Sequence, residues 1–171
     1  TAESALDYFV EISNVGHTFE NDDINWFYAP WYSNYEWQYL LNRMGGWHHM
    51  THAYWESCKQ GACDERFAQV TLDQFRDWVA DVPDPNNKKS SVYEAWRPIE
   101  AGGRLVRGGA FMQVYHLLMD SPYFSDDDLI TLLRSVVEHA DYIAEYPDYG
   151  SNHLLHAIEG LYTAGAYFPE L

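Results

Sequence analysis

Between Ser125 and Pro147 the apolar residues fall at helical intervals without a break, and no other pattern in the chain is as strict. Leu129, Leu132, Leu133, Val136, Val137, Ala140, Ile143 and Ala144 recur three and four apart, which places them on one face of a helix. Ser125 is a natural N-cap, and Asp126, Asp127 and Asp128 suit the positive end of the helix dipole. Pro147 and Gly150 mark the turn that follows. A further helix is expected from about Asn152 to Ala166, stopping before Pro169.

The same period runs upstream. Trp37, Leu40, Leu41, Met44, Trp47 and Thr51 predict one long helix ending near Cys58, with Gly61 breaking it. Asp64 caps a second helix that carries Phe67, Val70, Phe75, Trp78 and Val79, and Pro83 and Pro85 stop it. Residues 86–91 read as a polar, basic loop. A third helix is expected from near Trp96, with Pro98 in its first turn, through Leu105, Phe111, Tyr115 and Leu118. Its pairs Gly102-Gly103 and Gly108-Gly109 are poor helix formers and point to close packing against a neighbour. No strand-like alternation of useful length stands out. The reading is therefore five helices joined by short loops: an all-α domain of antiparallel hairpins.

Composition narrows the function. The chain of 171 residues and 19.9 kDa is one domain or a piece of a larger protein. Its net charge of -16 lacks the basic footprint of a nucleic-acid binder, although a local arginine cluster can still hold a polyanion. No run of about 18 apolar residues is present, so no membrane-spanning helix is expected. No signal peptide shows at Thr1; a mature chain would have lost it. Aromatic residues reach 17%, a level suited to grooves that stack sugars. The clusters Trp26-Phe27-Tyr28, Trp31-Tyr32 and Tyr35-Glu36-Trp37 are candidates for such a wall, with Trp37 assigned to the core. Cys58 and Cys63 lack the second ligand pair of a structural zinc site. They read as two thiols at a helix end, the alternative being a local disulfide in an oxidising compartment.

Three groups could carry chemistry. Arg97, Glu100, Arg104 and Arg107 fall on one helical stripe and suit carboxylate or sulfate groups, unless they are internal ion pairs. Asn152 and His153 open the last helix. They are either a capping residue with a solvent-facing imidazole or an amide and imidazole placed where the helix dipole favours a ligand's negative charge. His48 and His52 stand four apart, as metal ligands can, but no third ligand is evident, and solvated or hydrogen-bonded histidines are the better reading.

Several segments, taken in order, resemble the N-terminal helical domain of the heparinase II/III family of polysaccharide lyases. They are Ile24-Asn25-Trp26, the run from Tyr35 to Arg43, Ala53-Tyr54-Trp55 and Phe75-Arg76-Asp77-Trp78. Ala95-Trp96-Arg97-Pro98-Ile99-Glu100-Ala101-Gly102 with Arg104, then Asn152-His153-Leu154-Leu155, and the run from Ala164 to Glu170, complete the set. The resemblance implies an incomplete α/α toroid over residues 1–171, with a β-sandwich domain expected beyond residue 171. It implies cleavage of heparan sulfate or a related uronate-containing glycosaminoglycan by β-elimination. Asn152 then inherits neutralisation of the substrate carboxylate as the catalytic residue, with His153, Arg97, Glu100 and Arg104 binding substrate. The family's catalytic tyrosine and a further catalytic residue from the β domain would lie past Leu171, so the segment alone is expected to be inactive. No metal or cofactor is implied, nor a nucleic-acid or membrane partner, and the location implied is periplasmic or secreted. The run His156-Ala157-Ile158-Glu159 departs from the family pattern, which has an acidic residue nearer the Leu-Leu pair. Alginate, another uronate polymer, is the alternative substrate, and a polysaccharide-binding module without catalysis is the alternative role.

Overall fold

The computed structural model describes every residue except 32–34, 86–92 and 150–151. Tyr32, the polar loop at 86–91, Gly150 and Ser151 therefore lie outside the described residues. Eight α-helices and one small hairpin are seen among the rest: α1 (Ala2–Leu6), β1 (Phe9–Ile12), β2 (Val15–Thr18), α2 (Glu36–Leu41), α3 (Gly45–Lys59), α4 (Glu65–Asp81), α5 (Pro98–Leu105), α6 (Ala110–Leu118), α7 (Asp126–Glu145) and α8 (His153–Tyr167).

The strongest sequence patterns became the longest helices. In α7 the Ser125 hydroxyl accepts from the Asp128 amide, and the Asp128 carboxylate accepts the Ser125 amide at 2.8 Å, a complete capping box. Asp64 caps α4 in the expected way. Arg76 ties the two helices together by holding both Asp128 oxygens at 2.8 Å. That contact matters for Asp128. Burial alone would raise its pKa, but the bonds from Arg76 and Ser125 outweigh it and bring it down to about 2.

Two expected helices are each divided. The first breaks at residues 42–44, where Met44 takes the left-handed conformation at φ 57°. Asn42 explains the break. Its buried amide donates to the carbonyls of Trp26 and Gln38 and accepts from Trp78 Nε1 at 2.9 Å, which holds the chain in a turn. The second breaks after Leu105. A Cβ at Gly109 would run into the carbonyls of Gly103 and Arg104, so the chain doubles back there against its own helix. The close packing expected of the glycine pairs is realised at Gly102. A Cβ there would lie 2.6 Å from the His156 carbonyl, and one at Gly160 would lie 2.7 Å from Gly102 Cα. Helices α5 and α8 thus meet backbone to backbone.

The all-α reading holds, and the small β1–β2 hairpin is an addition to it. Ile12 pairs with Val15, and the two loop residues Ser13 and Asn14 both have positive φ, 52° and 64°, as a tight primed turn requires. Four-residue strands give too little alternation to compete with the helical signal around them. The pair Cys58–Cys63 is corrected: it forms a disulfide across the end of α3, where Gly61 turns at φ 95°.

Five tryptophans, Trp26, Trp37, Trp47, Trp78 and Trp96, form the centre of the core. Each indole N–H has an acceptor: Asp77, the Val15 carbonyl, Gln74, Asn42 and the Val82 carbonyl in turn. Trp26 is therefore core rather than part of a sugar-stacking wall. Phe27, Trp31 and Tyr35 are the exposed members of those clusters.

Candidate functional site

The helices share two ends. At one, Trp96 reaches the Val82 carbonyl after α4 and packs 5.4 Å from Tyr142 near the close of α7. At the other, Ser121 bonds Glu65, and Tyr167 meets His116 at 4.8 Å. Helix α8 returns from α7, so Asn152 enters at the first end, where Arg97 opens α5.

Asn152 occupies the N-cap position of α8 but does not act as a cap. Its backbone is already helical, at φ −64° and ψ −15°, and its side chain makes no capping hydrogen bond. A capping asparagine sits in the extended region with its oxygen on a helix N–H. The Asn152 amide is exposed instead, at the positive end of a 15-residue helix. Beside it, His153 Nδ1 lies 2.9 Å from the Asp148 carboxylate. A carboxylate accepts, so it sets Nδ1 as the protonated nitrogen and fixes the ring.

The arginine stripe separates into three surroundings, because α5 spans only Pro98–Leu105. Arg97 stands at its N-cap. Its guanidinium gives Nε to Glu100 Oε2 at 2.7 Å and Nη2 to Oε1 at 2.6 Å, and its central carbon stands over the Tyr39 ring, 3.3 Å from the centroid. Arg107 is exposed beyond the helix end, near enough to His116 to add to the lowering of its pKa that burial begins. Arg104 is wholly inside. It donates to His139 Nε2 at 2.8 Å and to the carbonyls of Asn42 and Ala95, between Trp78 and Trp96. Burial pulls its pKa down to about 9. With no exposed surface, Arg104 is a packing element of the core and is not available to a sugar. Glu100 is likewise at 0% exposure, so it can act on a ligand only through the arginines it holds.

One member of this site was not singled out by sequence spacing. Arg43, in the turn between α2 and α3, gives Nε and Nη2 to Glu100 Oε1 at 3.2 and 2.8 Å. Glu100 therefore bridges two guanidiniums, one 39% exposed at its side chain and one 19%. Two guanidiniums thus share one buried carboxylate and keep part of their surface open to solvent, with the acid Glu36 also near Arg97. Nothing in the sequence spacing pointed to Arg43, which fell inside the one long helix expected there.

The heparinase II/III N-terminus family matches residues 1–171. The chain belongs to the heparinase II/III family. A heparin-sulfate lyase of Pedobacter heparinus is 30% identical over 149 residues, covering 86% of this chain and 21% of the relative. Another, of Bacteroides thetaiotaomicron, is 27% identical over 152 residues, covering 88% of this chain and 20% of the relative. Among solved structures, a mutant heparan sulfate lyase of Pedobacter heparinus superposes with a TM-score of 0.83 at 26% identity, over 99% of this chain and 25% of that one. A heparinase III superposes at 0.77 with 27% identity, over 99% of this chain and 27% of that one. The chain thus spans about a fifth to a quarter of the length of these relatives, and its helical fold superposes on that part of them.

Proposed function

We propose that this chain is the helical part of a lyase that cleaves heparan sulfate, or a related uronate-containing glycosaminoglycan, by β-elimination. The observation that carries the reading is Asn152: an exposed amide at a helix start, not engaged by its own helix, in a chain of the heparinase II/III family. In a uronate the proton on the carbon next to the carboxylate is weakly acidic. Its removal pushes charge onto the carboxylate oxygens, and the C–O bond to the next sugar then breaks, leaving an unsaturated uronate. The Asn152 amide donates to a carboxylate oxygen and strengthens its hold as that charge develops. His153, fixed by Asp148, stands beside it. Arg97 and Arg43, oriented by Glu100, hold a sulfate or carboxylate of the same glycan.

In this reading the base that takes the proton comes from beyond Leu171, with a β-sandwich domain forming the second wall of the site. The apolar residues Leu155, Ile158 and Tyr162 stand exposed on α8 at helical spacing, a surface that further helices of an α/α toroid would cover. The disulfide supports a periplasmic or secreted location. The test is ultraviolet absorbance of the unsaturated uronate, using the longer protein that carries this chain. Heparan sulfate should yield it. A product from alginate alone would move the substrate, and no product from heparan sulfate, heparin or alginate would overturn the lyase reading.

A further inference from the structure

His48 lies on the exposed side of α3, yet one of its ring nitrogens is held by a buried network. Gln113 Nε2 is 2.6 Å from the Gly108 carbonyl and 2.6 Å from His48 Nδ1, while its Oε1 lies 2.9 Å from the Thr51 hydroxyl. Gln113 and Thr51 are both buried. The Gly108 carbonyl can only accept, which sets the amide with its nitrogen on that side. The second hydrogen of Nε2 then points at His48 Nδ1, and that nitrogen accepts. A neutral His48 carries its proton on Nε2, which meets no partner among the described residues. A metal would need a lone pair where that proton sits. An oxygen acceptor needs only the N–H.

The surroundings extend this donor into a track. The His52 ring lies 4.5 Å from His48, Trp55 lies 6.5 Å from His52, and the Lys59 ammonium stands 4.1 Å over the Trp55 ring. All four are exposed. They recur at helical spacing down one side of α3, which begins just after Arg43. Glu56, the acid beside the track, is paired with Lys59 at 3.2 Å. Imidazole donors, an indole and an ammonium together suit a sugar ring bearing hydroxyl and sulfate oxygens.

We infer that this side of α3 is a second glycan-contact surface. There His48 donates from Nε2 to a hydroxyl or sulfate oxygen of a sugar several units from the one at Asn152. The inference rests on the glycan reading above. It is tested by titrating the longer protein that carries this chain, with Asn152→Ala to prevent cleavage, with heparan sulfate oligosaccharides of two lengths, a tetrasaccharide and a dodecasaccharide. His48→Ala should weaken the dodecasaccharide roughly threefold to tenfold, the scale of one hydrogen bond. The tetrasaccharide affinity should not change, and Tm should fall only modestly, because the buried Gln113 Nε2–H loses its acceptor. Imidazole nitrogen NMR of the parent chain should show His48 protonated at Nε2. Unchanged dodecasaccharide affinity, an equal loss at both lengths, or a proton on Nδ1 would overturn the inference and leave the lyase reading standing. If the longer protein bound neither length, the glycan reading would fall and this inference with it.

Discussion

Arg97 and Arg104 belong to one stretch of chain, and their surroundings are opposed. Arg104 is sealed among Trp78, Trp96 and His139, and its hydrogen bonds go to backbone carbonyls and a neutral imidazole. Arg97 lies partly open on Tyr39, facing a carboxylate that it shares with Arg43. The first arrangement serves the fold, since a sealed guanidinium cannot reach a ligand. The second leaves two guanidiniums open to solvent at the end of the bundle where Asn152 emerges. Residue type and helical spacing are the same in both places, and burial alone separates a structural arginine from a binding one.

The largest effect is expected at Arg104. Arg104→Met leaves two carbonyls and the His139 ring without donors, and should cost about 3 kcal/mol, or roughly 6–12 °C in Tm. Glycan affinity of the chain that remains folded should be unchanged. A variant as stable as the parent would show that the guanidinium is dispensable and dissolve the contrast.

His139 gives the next effect, read through pH. Burial first, then Arg104, push its pKa well below the ordinary value, while the Ser135 carbonyl partly opposes them. The unfolded chain therefore binds a proton that the folded chain refuses. The stability this represents is complete above about pH 6.5. It falls as the pH drops below that value, by at most about 1.4 kcal/mol per pH unit, until the folded group titrates. Denaturant melts of His139→Gln should lose this slope between pH 6.5 and 5, and an unchanged slope would place its source elsewhere.

A smaller stability effect is expected at Arg43. Its partner Glu100 keeps Arg97, so Arg43→Gln should cost about 1 kcal/mol or less. The same variant should weaken binding of sulfated oligosaccharide several-fold at low salt, with a shallower salt dependence. Equal affinity for parent and variant would make the Arg43–Glu100–Arg97 group an internal ion pair, like Arg104 in role.

Much of the fold was legible because caps and period agreed. Asp64, Ser125 and the apolar faces of α4 and α7 specify those helices locally. The break at Asn42 was not legible, because its cause is tertiary: the Trp26 carbonyl and the Trp78 indole are distant in sequence. The break before α6 depends in the same way on where Gly109 meets Gly103 and Arg104. The disulfide depended on the turn at Gly61, which spacing alone does not reveal. Of the candidate site, Asn152, His153 and Arg97 were readable as residues at helix starts. Arg104 was misplaced because a stripe drawn on an ideal helix carries no information about which side faces the core. Arg43 was missed because it enters the site through a turn that the periodicity had drawn as helix.

The central claim is that Asn152 acts on substrate and does not hold its helix. Asn152→Ala in the longer protein that carries this chain, assayed for unsaturated uronate and melted in parallel, tests it directly. Turnover on heparan sulfate should fall about a hundredfold or more, the scale of losing one donor to a developing oxyanion. The KM should change much less, and Tm should stay at the parent value, because no capping bond is lost. A variant that cleaves at the parent rate but melts earlier, by the roughly 1 kcal/mol of a lost cap, would contradict the account.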